Sequence, residues 1–564
     1  MAGSLERWRQ RWAIDRDRLA LAGRRSQEVL LLAGVTGVLV GLAVAAFDEL
    51  AAEHVFPWVL DLPLWATAAA PLVGLLLSAA ALRWLAGGAT PATTDEYIRS
   101  FHEQGRALDT RPAPGRLAAS IATLGSGGSL GYEGPAIYAG SSIGAWLQQR
   151  LARVFRTEDP KVLLVAGAAA GVAAIFRAPV TGLVYALEVP YRDDLARRAL
   201  LPAAVASAAS YVTFAALIGT DPLFPVAGQP DLSLRDLLGA ALVGLFAGGF
   251  ARLFSVVIGR AKALQGLASP WVRALVAGVV LGGLFLAGWA MTDANLTLGA
   301  GYDTMRWATS ADHGLLLIVA AATLRVAATA TTVAGGGVGG LFVPLVVQGY
   351  LVGEAARVLV DPANATLFPV VGIAAYLGAG YNVALASVVF VAEVTGRPGF
   401  VVPGLIAAVV AQLVMGRRSL SPYQVDRRTG YLERRLAMGV AATVDTEART
   451  VPPDATLDEL FWQHLIGTRQ RAAVVVDGNR YLGLVGVDEL GAVEQEAWPQ
   501  RTVAEVMRTD VPTISPSATV SDAAQAMAAH RVDRLAVTDG DAFVGVVTHE
   551  GIVRLDEILD ATDR

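Results

Sequence analysis

The chain has 564 residues, 54% of them hydrophobic and 17% charged, with a mean hydropathy of +0.49. Soluble domains carry about 45–50% apolar and about 25% charged residues, so a water-soluble enzyme of this composition would expose apolar surface that water does not tolerate. The absence of cysteine excludes disulfides, thiolate metal sites and cysteine nucleophiles, and the formal charge of -5 conceals a split of about -11 after residue 440 and about +6 before it.

Residues 1–28 hold Arg7, Arg9, Arg11, Arg16, Arg18, Arg24 and Arg25 with Trp8 and Trp12. This basic amphipathic stretch lacks the apolar run of a secretory signal and reads as a cytoplasmic N-terminal segment, whether it leads into a first span or lies as a solvated surface helix. Apolar windows follow near 29–47, 64–86, 115–130, 162–189, 199–218, 236–257, 271–291, 314–330, 338–359, 366–393 and 399–416. Several fall short of the roughly 20 residues a straight span needs, or are broken by glycine and proline, which predicts discontinuous helices meeting inside the membrane.

One such break is Gly131-Tyr132-Glu133-Gly134-Pro135. Pro135 suits the first turn of a helix, and a helix start leaves N–H groups unpaired under roughly half a positive charge, an anion site that needs no basic side chain. Glu133 would sit at its mouth. A carboxylate at membrane depth costs about 2.5–3.5 kcal/mol and is functional by default; the competing reading makes Glu133 only a charge partner for the helix start. Gly335 to Pro344 is a second glycine loop opening toward a helix, with the amides of Leu341 and Phe342 free to meet a ligand, unless its glycines serve packing alone. Neither loop has the Gly-Lys-Ser/Thr ending of a nucleotide site.

Phe176 to Val189 echoes Tyr381 to Val394, each apolar run ending in a glutamate (Glu188, Glu393) nine residues after Pro179 or Ala384. Two structurally related halves of inverted topology are the natural inference. After about 430 the texture turns soluble: Thr450 to Asp458 and Thr513 to Ser521 are near copies, each followed by a strand ending in Asp-Gly. This tandem α/β repeat of about 60 residues resembles a pair of cystathionine-β-synthase-type (CBS) domains.

On these motifs and their order, residues 29–430 resemble the CLC family of chloride channels and chloride/proton exchangers. Gly131 to Pro135 matches its Gly-Lys/Arg-Glu-Gly-Pro signature, Gly340 to Pro344 its Gly-x-Phe-x-Pro, and Ser421-Pro422-Tyr423 falls where the family has its pore tyrosine. The resemblance implies an α-helical multispanning membrane protein with two inverted repeats and re-entrant or broken helices, a homodimer in the cell (inner) membrane with an anion pathway in each subunit. It implies neither an enzyme nor a nucleic-acid partner. The CBS pair, 431–500 and 501–564, would be cytoplasmic and stabilising or regulatory. By the same resemblance Glu133 is the gating and proton-exchanging glutamate. Gly131, Gly134, the amides of Leu341 and Phe342, and the Tyr423 hydroxyl hold chloride.

Three positions depart from the family pattern. The Gly-Ser-Gly-x-Pro signature falls near Gly87 to Pro91, where Gly88 stands for the serine and Thr90 is the nearest substitute; Tyr132 replaces the basic residue before the gate; and Val189 stands where proton-coupled members carry an internal glutamate. Valine carries no proton and Glu188 points about 100° away, as a structural anchor like Glu393. The expectation is therefore a passive chloride channel gated by Glu133 and sensitive to pH. The alternatives are a chloride/proton antiporter of the same family or, from another class, a membrane-anchored ligand sensor without transport. Arg177 and Arg325 could raise the anion potential at an intracellular vestibule or serve structure. The six histidines lack ligand spacing, so no metal is expected. Adenine nucleotide binding at the CBS pair would use Thr548 and Glu489, around which half of the ribose pattern is missing in each copy.

Overall fold

In the computed structural model of the protein, residues 27–103, 107–151, 161–220, 233–310, 312–360, 366–427, 438–467 and 470–562 are described. The expectation for the arginine-rich start, up to residue 26, lies outside them. The chain divides into two compact units, Met1–Arg427 and Arg428–Arg564.

Eight helices of the first unit are long and apolar enough to cross a bilayer among the described residues, from Gln27–Leu60 to Pro398–Met415. Lipid offers the backbone no hydrogen bonds, so each segment satisfies its own as a helix and turns apolar side chains outward; Leu201, Leu316 and Leu413 are exposed in this way. The interior is built differently. Val162–Phe176 and Leu367–Tyr381 have 15 residues each, too short to span, and every residue of both is buried. A helix apolar on all sides belongs inside a protein.

Two of the long windows are broken helices. Val162–Phe176 ends at Arg177 (φ 53°) before Pro179–Glu188, and Leu367–Tyr381 ends at Asn382 (φ 53°) before Ala384–Thr395. Both breaks close with the same bond pair: Arg177 N–H to Ala174 O with Ala178 N–H to Ala173 O, and Asn382 N–H to Ala379 O with Val383 N–H to Gly378 O.

The two echoing glutamates then cap each other's half. The Glu188 carboxylate accepts from the amides of Leu385 (3.2 Å) and Ala386 (2.8 Å), the start of Ala384–Thr395. Glu393 accepts from the amides of Val180 (2.9 Å) and Thr181 (2.6 Å) and from the Thr181 hydroxyl (2.6 Å), the start of Pro179–Glu188. Two orphan-donor sets are satisfied reciprocally, as an inverted repeat requires. Close backbone crossings repeat as well: a Cβ on Gly140 would strike Gly167 O, and one on Gly349 would strike Gly372 O.

In the second unit, hairpins Ala472–Asp477/Arg480–Gly486 and Arg534–Asp539/Ala542–Thr548 share one design, with left-handed Gly478 and Gly540 at the turns. Thr450–Val451 adds a parallel strand to the first hairpin. The expected boundary at 500/501 separates the strands but not the cores. Val440 packs with Leu535 and Val547, anchored by Asp445 N–H to Val546 O (2.9 Å). Val503 packs with Val475 and Val485, anchored by Leu484 N–H to Arg508 O (2.9 Å). Each copy thus completes its sheet with a segment lying nearer to the other in sequence.

Candidate anion site

Glu133 opens the helix Glu133–Arg150 and Phe342 opens Phe342–Val360. The loops before them are stitched by a two-residue antiparallel bridge: Gly131 N–H donates to Gly340 O (2.9 Å) and Gly340 N–H to Gly131 O (2.8 Å). The bridge aims one helix start at the other, and the Phe342 amide donates to Glu133 Oε1 at 2.6 Å. The amides of Glu133 itself and of Val343 also face this carboxylate. Glu133 is 1% exposed, and its Oε2 has no hydrogen-bond partner. A Cβ on Gly131 or Gly340 would occupy the space of the Glu133 carboxylate oxygens, which is why both positions need glycine.

A third helix start joins them. Thr93, the N-cap of Thr94–His102, donates its hydroxyl to Gly339 O at 3.0 Å, and a Cβ on Gly134 would meet Thr93 Oγ1 at 2.5 Å. Thr93 carries no mark of this role in the sequence, where the serine signature falls on Gly88, five residues earlier. The two loops are equivalent: Gly131, Pro135, Gly140 and Gly144 lie as Gly340, Pro344, Gly349 and Gly353 do, in the same spacing. That shared pattern was the available signal.

The expected ligands therefore divide. Gly131, Glu133, Gly134 and Phe342 are brought together. Leu341 is buried beside them, yet no hydrogen bond from it reaches the carboxylate. Gly88, Thr90 and Tyr423 stand outside this cluster. Gly88 sits on a left-handed turn (φ 81°) with open space around it, because the preceding helix ends there. Thr90 is exposed and held by Arg116, whose Nε donates to Thr90 O (3.0 Å) and Nη2 to Thr90 Oγ1 (3.3 Å). Tyr423 is 43% exposed, while its neighbour Gln424 turns inward and donates to Val189 O (2.7 Å) and Tyr381 O (2.6 Å). Val189 is fully buried under that contact.

The two arginines part company. Arg325 is fully buried and donates to Thr297 O (2.8 Å) and Gly299 O (2.5 Å), a structural clamp on that loop. Arg177 lines a cavity of about 1010 Å³ with Tyr132, Asp48, Glu53 and Tyr302. That places its cation on the Tyr132 side of Glu133, where Tyr132 itself brings none. In the second unit Glu489 Oε2 accepts from Gly486 N–H (2.8 Å) and Thr548 Oγ1 from Gly551 N–H (2.9 Å), so both expected nucleotide ligands are engaged as helix caps.

Broken helices whose starts converge on a buried carboxylate in a body of membrane-spanning helices define a polytopic membrane protein with backbone donors gathered in its interior. The profile of the voltage gated chloride channel family matches residues 73–416, and the chain belongs to that family, the CLC anion transporters and channels; a CBS domain profile matches residues 503–558. The fold is similar to that of a slow cyanobacterial Cl-/H+ antiporter, with a TM-score of 0.61 and 20% identity over 69% of this chain and 94% of that one. A CLC-type fluoride/proton antiporter matches with a TM-score of 0.59 and 22% identity over 71% and 98%. A eukaryotic CLC transporter matches with a TM-score of 0.59 and 19% identity over 93% and 97%.

Proposed function

We propose that the protein is a chloride/proton antiporter in which Glu133 alternates between occupying the anion's place and carrying a proton. One observation carries this reading: the Glu133 carboxylate takes the Phe342 amide at 2.6 Å, the donor a dehydrated chloride would need, and leaves its second oxygen unpartnered. An anion entering the site displaces the carboxylate. The displaced carboxylate, away from the helix-start donors that favour its charge, accepts a proton, and returning to the site requires giving that proton up. The fold neighbours described as proton antiporters support exchange over passive conduction.

The second reading is the passive channel, favoured by Val189, which offers no inner carboxylate for a proton. We further propose a homodimer in the cell inner membrane with its N-terminus and CBS pair in the cytoplasm, Thr90 and Tyr423 meeting the anion on the side away from Tyr132, and adenine nucleotide as the ligand class to test at the CBS pair. Purified protein in liposomes decides between the readings. With a chloride gradient clamped and an opposing pH gradient imposed, antiport predicts proton movement against its own gradient at a fixed ratio to chloride. Chloride movement without any proton flux would overturn exchange and leave the channel.

A further inference from the structure

Around the gate the side chains are aromatic. Phe342 packs its ring against Phe176 (centroids 4.5 Å apart), Phe390 (4.9 Å) and Tyr185 (5.2 Å, edge-on). Tyr185 also meets Tyr381 edge-on at 6.2 Å. A phenylalanine at 185 would serve this packing equally. Instead the position carries a hydroxyl, in a residue 1% exposed, and that hydroxyl has no hydrogen-bond partner. Buried tyrosine hydroxyls ordinarily find partners, and leaving one unmet costs about 1–3 kcal/mol. A buried orphan therefore needs an explanation, such as an ion.

The surroundings identify the ion's sign. The carboxylates of Glu133 and Asp95 stand in the first turns of two of the three converging helices. The third of those helices starts at Phe342, whose ring Tyr185 touches. Helix starts favour negative charge, and the donor they have in hand, the Phe342 amide, is taken by Glu133 until the carboxylate leaves. A phenol hydroxyl adds a neutral, short, charge-assisted donor that binds a monovalent anion without trapping it.

We infer that Tyr185 is a specificity-determining ligand on the anion pathway, its hydroxyl donating to a dehydrated halide beside the Phe342 helix start once Glu133 has moved away. This inference rests on the transport reading. It also supplies a hydroxyl where Gly88 offers none.

The test is Tyr185→Phe in the full chain, with chloride binding by calorimetry and chloride and nitrate fluxes in liposomes. Chloride affinity is expected to fall about tenfold and the chloride-to-nitrate flux ratio several-fold, with the pH response retained because Glu133 is intact. Tyr423→Phe, measured beside it, should change the affinity less. An affinity and flux ratio within twofold of the parent, in protein that moves chloride, would overturn the inference alone; a parent that neither binds nor moves chloride would overturn the transport reading with it. Should the variant fail to fold, parent crystals grown in bromide decide. Anomalous density within hydrogen-bond distance of the Tyr185 hydroxyl supports the assignment, and a water or no halide there overturns it.

Discussion

The two halves of the membrane unit use one backbone device and differ at its most important position. Each has a Gly-x-x-x-Pro loop feeding a helix, an interior helix crossed at glycine, a left-handed break and a glutamate that caps the other half. At equivalent places after Gly131 and Gly340, however, one half carries Glu133 and the other Phe342. The symmetric part is scaffold, and the asymmetric pair is where the proposed gating would act. One side contributes a titratable acceptor and the other a backbone donor behind an apolar ring.

If the scaffold is truly shared, breaking either cap should cost alike. Glu393→Ala, which strands the amides of Val180 and Thr181, and Glu188→Ala, which strands those of Leu385 and Ala386, should each destabilise the protein by roughly 3 kcal/mol in thermal unfolding in detergent, Glu393 slightly more because it also accepts from a hydroxyl. A loss confined to one variant would break the equivalence. At the gate the opposite holds. Glu133→Gln should raise anion flux roughly tenfold and flatten its pH dependence in liposomes, since the amide cannot compete as an anion or carry the proton. Phe342→Leu should leave the pH profile in place. A pH response that survives Glu133→Gln would remove Glu133 from the gate.

Smaller effects sharpen the picture. Thr93→Val deletes the bond to Gly339 O and should cost about 1 kcal/mol of stability, with chloride affinity changed by less than about fivefold, because Thr93 braces the loop. The weakest is in the second unit, where the Thr519 hydroxyl and amide hold the Asp522 carboxyl below its usual range at the start of Val520–His530. A depressed carboxyl contributes stability above its unfolded value of about 3.9 and loses it as pH falls further. Hydrogen exchange in that helix should therefore rise in the parent below about pH 4 relative to an Asp522→Asn variant, which lacks the titrating group.

Much of the fold could be read in the chain because it rests on local physics. Apolar windows, a proline after a glycine loop, and a repeat with equal spacing to two glutamates each report a constraint carried by residues close in sequence. The site was partly readable for the same reason: Gly131, Glu133, Gly134 and Phe342 lie in contiguous motifs whose backbone must turn in one way. Thr93, Gln424 and Tyr185 were not, since a lone threonine, glutamine or tyrosine carries no local mark of what it will meet across 43 to 246 residues of chain. The cavity that Arg177 lines was not readable either, because it depends on which way the left-handed break turns the side chain.

Composition and patterning settle that this chain spans a membrane in interrupted helices, presents an acid at a helix start and trails an acidic α/β pair, because burial, helix dipoles and turns act over a few residues. Packing settles what no window can contain. It is the meeting of Gly131 with Gly340 that hands the Phe342 amide to Glu133, the crossing of the halves that turns two distant glutamates into mutual caps, and the aromatic cluster around Phe342 that leaves the Tyr185 hydroxyl buried without a partner.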